Sequence, residues 1–540
     1  MGMHTETGEN MGSRAAKLIY PLFVGQFLGL LLTAATFIAV TRILGPSRYG
    51  IYVFAFGFSA LVNAVAAFGI GTYWNRQLAA LHYKKDGRGM LKVLSSGYAI
   101  VMAVGMALSL FGIAISGYVA GLFPNIGVQP ITLELASAMI FFLMANTAAV
   151  NGLVGLSRAG LAAISNIVVD IVQLALSIIL TIEYGINGSV EAMLIGYAVG
   201  AVITAYFIYI SVSRYVKFRI RLPSRQELRD VLSFATPLAA NNFLNTGMQS
   251  FSVLLLGFYV MTAALGNYGA ANRGLTLLSI VYGSFAMGVL TTFTTARAMK
   301  RPEEVNRTYN AIIRFSLMLT LPMIVFVGAM AVPGLYLLVS SSFSTAPLYL
   351  ALMAIGTMIG IFGVYTSNLL ISGSHTKSVL KVNLVSAAVQ LVLLIALVPS
   401  VQIIGAIVSI YFAGNLVRAA MFAVETKRRF GLALDYRNMA LLYISSILIW
   451  ALIMAWLYAS GAYLLALSPD LRYIIQIAVG LAALIVVYPI ILTLLKAVDM
   501  KDIAYMRLTA EKLGMLGRIM GILVDYSECL NRSLMHRVRS

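Results

Sequence analysis

The chain has 540 residues, 60% of them hydrophobic and only 11% charged, against roughly 25% charged in an ordinary soluble domain. That apolar excess excludes a water-soluble globule and requires lipid, where runs of about 20 apolar residues form spanning helices. A formal net charge of +19 raises nucleic acid as a partner, but the placement of that charge, given below, argues against it.

Residues 1–17 are expected to form an N-terminal segment, whose opening MGMHTETGEN is polar and lacks the apolar core of a cleavable signal, so the first helix is expected to serve as its own insertion signal. Apolar runs then place spans at 18–41, 50–74, 93–120, 131–155, 160–183 and 189–212, an N-lobe of six helices covering 18–212. A basic linker, 213–229, leads to spans at 230–258, 264–292, 308–331, 345–371, 376–398 and 401–424, a C-lobe of six helices covering 230–424. Two more spans, 439–463 and 471–495, make an all-α polytopic membrane protein of about fourteen transmembrane helices. In the tail, 496–540, the residues Ile503, Met506, Leu513, Leu516, Met520 and Leu523 fall at mainly helical spacing between basic residues. They read as an amphipathic helix lying on a membrane surface; a partly disordered tail is the alternative. The single cysteine, Cys529, allows no intramolecular disulfide.

Orientation follows from Lys and Arg. The termini and alternate loops carry 33 of the 38 basic residues, and the opposite loops at 121–130, 259–263, 332–344 and 399–400 carry almost none. Both termini and the basic loops are therefore expected in the cytoplasm, and the positive charge is an orientation signal.

The halves repeat. At a constant offset of 217, Asn151 falls on Asn368, Arg158 on His375, Asn166 on Asn383, Gln173 on Gln390 and Gly188 on Gly405. With small shifts, Pro21 corresponds to Pro237 and Tyr49-Gly50 to Tyr268-Gly269. Six is even, so the copies share one topology, the parallel-repeat plan that places a binding site between halves. The last two helices lie outside the repeat.

Catalytic apparatus is not legible. There is no external Asp-x-Asp pair, HExxH, Walker-type GxxxxGK[ST] or CxxC, and the four histidines share no metal-ligand spacing. A transporter is expected, with no cofactor beyond H⁺ or Na⁺ as a coupling ion.

Ionisable and polar groups within spans are the functional candidates. Arg273 lies nine residues into the eighth helix, about 13 Å deep; it is either a bidentate anchor for an anionic substrate or one partner of a structural ion pair. Asn241, Asn245 and Gln249 are spaced i, i+4, i+8 on the seventh helix, with Asn242 beside them, and Asn272, Thr276 and Ser279 form a stripe on the eighth. These suit sugar hydroxyls or interhelical hydrogen bonds. Gln26, Thr33 and Asn63 are weaker candidates on the first two helices. Asp170, mid-helix, has Ala387 as its repeat mate, so its charge is not part of the shared scaffold; it could bind a coupling ion or pair with an arginine. Arg42 and Arg48 lie at the Lys/Arg-poor end, against the general bias.

The segment RILGPSRYG, Arg42 to Gly50, resembles a signature of polysaccharide and lipid-linked oligosaccharide flippases. These form the polysaccharide transport branch of the multidrug/oligosaccharidyl-lipid/polysaccharide (MOP) exporter superfamily. LSFATPLAANNF, LGNYGAANR, SGSHTK, PSVQIIGA, RRFGLALD and KAVDMKD match in the same order along the chain. The resemblance implies two six-helix lobes forming a V, with the first, second, seventh and eighth helices lining a central cavity. It implies a lipid-diphosphate-linked glycan moved from the cytoplasmic to the external leaflet by alternating access. Membrane lipids and glycan-assembly enzymes are expected as partners, and the placement of the basic residues speaks against nucleic acid. The related peptidoglycan-precursor flippases carry several cavity arginines, whereas only Arg273 reads as deep here, which leaves a diphosphate incompletely balanced. Two readings stand beside this one. A cation-coupled exporter of small amphiphiles would need a cavity acid, and the first helix lacks the acid usual in the drug-exporting branch. A membrane-embedded glycan-processing enzyme would need an external acidic cluster.

Overall fold

The computed structural model describes residues 5–66, 69–216, 223–278, 302–373, 375–431, 435–464 and 466–497, with Asp525 and Glu528; side chains of residues 5–24, 26, 65–66, 237–238, 241–242, 245 and 302–308 lie outside that description. The described chain is all-α. In order it runs α1 (Thr5–Ala66), α2 (Ile70–Tyr83), α3 (Gly87–Ile100), α4 (Met106–Leu122), α5 (Pro130–Gly155), α6 (Ala159–Tyr184), α7 (Ile186–Ser213), α8 (Arg225–Asn242), α9 (Met248–Tyr259) and α10 (262–278). There follow α11 (Pro302–Ala329), α12 (Ala331–Leu338), α13 (Ala346–Ser372), α14 (Thr376–Ile407), α15 (Gly414–Phe430), α16 (Tyr436–Tyr463) and α17 (Pro469–Leu494). Short π-helical turns at Val101–Gly105, Phe243–Gly247 and Val408–Ala413 join α3 to α4, α8 to α9 and α14 to α15. Ten helical stretches among the described residues are long and apolar enough to cross a membrane. Two of them, Phe27–Ala64 and Thr376–Phe430, each hold two predicted spans. The amphipathic-tail expectation for 496–540 falls almost wholly outside the described residues.

On its lipid-facing side α6 differs from a helix of a soluble protein. On α6 the exposed stripe is Ile164, Ile171, Ile178 and Ile182, while Ser165, Gln173, Ser177 and Thr181 are buried. Lipid tails are as apolar as isoleucine, so small and hydrogen-bonding residues add to the contacts between helices, beside apolar packing such as that of Trp74, Leu94, Ile140 and Leu153. Ser109 donates to the Ser137 carbonyl at 2.8 Å, and Thr181 and Ser189 share a hydrogen bond of 2.8 Å.

One predicted loop is instead a kink, and one predicted span is broken. The first and second spans run through α1, broken only at Gly45 (φ 67°, ψ 176°), where glycine tolerates the positive φ. The second span does not reach residue 74 as one helix: α1 ends at Ala66, Gly69 is left-handed (φ 57°, ψ 14°), and α2 starts afresh at Ile70. The basic stretch from Arg76 is therefore helical as far as Tyr83. Trp74 on α2 is fully buried and donates to the Val93 carbonyl at 3.1 Å, fixing α2 on α3.

The repeat is visible in the backbone. Arg158 (φ −107°, ψ 42°) and His375 (φ −90°, ψ 44°) open α6 and α14 in the same conformation. Their N–H groups donate to Leu153 at 2.8 Å and Leu370 at 2.9 Å, also 217 apart. Gly185 (φ 60°, ψ −127°), which closes α6, and Gln402 (φ 50°, ψ −123°), a kink inside α14, make the same turn. Asn151 and Asn368 each donate to the carbonyl four residues back, at 2.9 and 3.2 Å.

By internal contacts the chain divides into Met1–Gly269 and Ala270–Ser540. In the first unit α8 packs on α2 and α3, and α9 on α1. In the second, Arg314 on α11 donates to the Ala497 carbonyl at 3.0 Å and lies 3.7 Å from Asp435, tying α11 to the start of α16 and the chain just past α17.

Candidate functional site

Arg273 is carried by α10. The helix starts at residue 262, so the arginine lies eleven residues in, about 16 Å along the axis and half the thickness of a bilayer core. It is partly buried. Among the described residues it has no hydrogen bond and no ion pair, so the structural-pair alternative finds no partner there. Its neighbour Asn272 accepts a 2.7 Å hydrogen bond from the hydroxyl of Tyr411. Thr276 bonds back to the Asn272 carbonyl at 2.8 Å.

Tyr411 was not legible as a site residue. It sits in the π-helical turn Val408–Ala413, is buried, and reaches across 139 residues of sequence to Asn272. Such turns add one residue to a helix, re-aim the side chains that follow, and recur at functional sites. A second one, Phe243–Gly247, carries Asn245 between α8 and α9. The side chains of Asn241, Asn242, Asn245 and Gln26 lie outside the described residues, as does Ser279. Gln249, on α9, is exposed.

In the first unit, two of the segments that carry the family resemblance, RILGPSRYG and the start of LGNYGAANR, pack on each other. Gly50 meets the start of α10: a Cβ on it would land on the Thr262 carbonyl oxygen, and one on Gly266 would land on that of Pro46. Backbones this close admit only glycine. Tyr49 beside it is buried, stacked on Tyr52 at 5.5 Å and edge-on to Phe37 at 6.2 Å. Arg42 and Arg48 flank the Gly45 kink and are exposed. Arg42 has partners, whereas Arg48 has none among the described residues.

Asp170 is partly buried on α6, with its carboxylate against α1, where a Cβ on Gly29 would stand 2.9 Å from Oδ2. It is not a free carboxylate.

Arg273 is also not the only arginine within a span. Arg418, on α15, is partly buried and donates through Nε to Ser386 Oγ at 3.2 Å. The expectation of a single deep cation is corrected on this point. The signal was present: Arg418 lies inside the run 401–424, nine residues before Lys427, too far to be a helix-end anchor.

Comparison with known proteins places this arrangement. The family model described as "Polysaccharide biosynthesis protein" matches residues 16–291, just over half of the chain. No curated protein matches. Among solved structures, the chain is similar to the lipid II flippase MurJ in an inward closed conformation, with a TM-score of 0.66 and 17% identity, covering 88% of this chain and 98% of that one. It is similar to an inward-facing multidrug resistance MATE family transporter of the MOP superfamily, with a TM-score of 0.63 and 18% identity over 75% and 94% of the two chains. A MOP superfamily transporter from Pyrococcus furiosus gives a TM-score of 0.51 at 18% identity, over 78% and 96%. The chain is thus a multi-pass membrane protein with the fold of the MOP superfamily, and it belongs to the polysaccharide biosynthesis protein family.

Proposed function

We propose that this protein is a flippase that carries a lipid-(di)phosphate-linked oligosaccharide from the cytoplasmic to the external leaflet by alternating access. The observation that carries the reading is Arg273. An arginine at mid-depth without a carboxylate costs about 2.5–3.5 kcal/mol on insertion scales. It is tolerated where a wet cavity or an anionic ligand compensates it, and a guanidinium fork matches phosphate oxygens bidentately. Family membership supports a glycan, and the MOP fold supports translocation. The protein acts as a transporter and performs no covalent step. The basic loops and both termini are cytoplasmic: reporter fusions at Pro302 and Ser540 read inside, and one at Asn125 reads outside.

The test is transfer of a fluorescent lipid-diphosphate sugar across proteoliposomes. Arg273→Ala abolishes transfer while the protein stays monodisperse, and Arg273→Lys, which keeps charge but loses the fork, is intermediate. Wild-type rates in Arg273→Ala would remove the anchor. Asp170 is the proposed coupling group for H⁺ or Na⁺. Asp170→Asn keeps the protein in the membrane and alters the pH or Na⁺ dependence of transfer; unchanged ion dependence would end that assignment.

A further inference from the structure

The α14–α15 hairpin of the second unit differs from its repeat mate, α6–α7, by one inserted residue. Before the π-helical turn the offset is 217: a Cβ on Gly188 would land on the Leu180 carbonyl oxygen, and one on Gly405 would stand 2.7 Å from that of Leu397. After the turn it is 218. Gly196 packs on the side chain of Gln173, and Gly414, not residue 413, packs on Gln390. The turn Val408–Ala413 lies between these points, and one extra residue is what a π-turn contributes.

At the shifted offset the mate of Arg418 is Gly200, and at the unshifted one the mate of Ser386 is Val169. Those mates also touch, since a Cβ on Gly200 would meet a Val169 methyl. The same place in the two repeats thus holds glycine on valine in one unit and arginine on serine in the other. The scaffold forms without the cation.

Arg418 faces inward. The exposed residues of α15 above its basic end are Leu416, Ala420 and Val424. Arg418 points about 160° from the middle of that stripe. It lies among the directions of buried Gly414, Phe422 and Glu425. Its one hydrogen-bond partner among the described residues is saturated. Ser386 Oγ donates to the Gly414 carbonyl at 2.9 Å and accepts from Gln390 Nε2 and Arg418 Nε, both at 3.2 Å. That is the full capacity of a hydroxyl. The remaining guanidinium N–H groups have no acceptor there, and the acid two turns along the same face, Glu425, is paired with Arg429 at 3.4 Å.

We infer that Arg418 is a second phosphate-binding group of this chain, a station nearer its basic end than Arg273, at which the (di)phosphate of the lipid-linked substrate pairs with the guanidinium. This rests on the flippase reading. Tyr411 ties α15's preceding turn to the neighbour of Arg273, and seven residues, about 10 Å of helix, separate Tyr411 from Arg418. The two arginines are therefore successive stations.

The test measures binding of a fluorescent polyprenyl diphosphate, and of the matching polyprenol, to the full chain in phosphatidylcholine nanodiscs. Arg418→Ala weakens diphosphate binding about tenfold, Arg418→Lys less, and polyprenol binding is unchanged in both. Ser386→Val, which installs the mate residue and leaves the cation, stays within about twofold of wild type. If Ser386→Val loses binding and melting temperature as much as Arg418→Ala does, the contact is structural and the inference falls. It also falls if Arg418→Ala binds like wild type while Arg273→Ala does not, which leaves the flippase reading intact. If added phosphatidylglycerol displaces the probe from wild type but not from Arg418→Ala, the arginine serves bulk headgroups and the substrate assignment fails. If wild type prefers diphosphate no more than polyprenol, the flippase reading itself fails.

Discussion

The hairpins α6–α7 and α14–α15 share one plan and differ in charge, and the difference shows which residues the scaffold does not need. What they share is steric. Each has a glycine that lets a helix start press on the carbonyl of the preceding one, Gly188 on Leu180 and Gly405 on Leu397, and each has a glutamine packed on a glycine. What they do not share is charge. Asp170 in the first has Ala387 as its mate, and Arg418 in the second has Gly200. Charge within a span is costly, so a charge that one copy lacks is not required to build the hairpin.

The comparison can be broken at its steric part. Gly188→Ala places a methyl on a backbone oxygen that cannot swing aside, and an overpacked site of this kind costs about 3 kcal/mol. Gly405→Ala has a wider gap, 2.7 Å from the equivalent oxygen. The first substitution is expected to remove most of the monodisperse protein in detergent and the second to lower its melting temperature. Equal losses would mean that the two hairpins are not sterically graded in this way.

The turn between the paired helices sharpens it. Gly185 and Gln402 adopt the same positive-φ conformation, which costs glycine little and strains glutamine. Relief of backbone strain in Gln402→Gly, less the entropy lost by a freer unfolded chain, gives a gain of about 1 kcal/mol. Gly185→Gln is destabilising by a similar amount. A melting temperature that falls in Gln402→Gly would show that its side chain outweighs the strain.

The smallest effect is at the basic ends. His82 packs edge-on to Tyr215 at 5.5 Å, and His375 packs likewise on Phe430 at 5.2 Å. Burial, and then Arg158, hold the His82 imidazole below its ordinary pKa. The neutral form is therefore favoured in the folded state, and as pH falls below about 6.5 the unfolded chain takes up the proton first. Stability of the α2–α3 region declines slightly on going from pH 7.5 to 5.5, and His82→Phe removes that slope. Amide exchange at Leu78 to Tyr83 reads it; a slope that persists in His82→Phe belongs to another group.

Much of the fold was written in the pattern of apolar residues, because a bilayer demands runs of one length and admits few alternatives to helix. Twelve of the fourteen runs fall on helices as expected, the eighth does so over its described part, 264–278, and the second departs at Gly69, where two glycines and an aromatic run gave no clear stop. The repeat offset was legible from a handful of Asn, Gln and Gly residues because these meet backbone, and backbone geometry repeats. Arg273 was legible from depth alone. Tyr411 was not, since a tyrosine in an apolar run carries no sign that its hydroxyl will find Asn272 on another helix.

The sequence by itself determined the membrane class, the order of the described helices, the duplication and the position of Arg273 well inside an apolar run, since each depends on local composition and on the run length a bilayer demands. Tertiary structure decided what no run of residues contains. It inserted one π-turn residue into α15's approach and so rotated everything beyond it. It turned Arg418 to the interior rather than to lipid, and it supplied as that arginine's neighbour Ser386, 32 residues away, with no acceptor left to give. A side chain's burial and its hydrogen-bond partners are set by neighbours in space, and a one-residue shift within a helix turns every later side chain by about 100°.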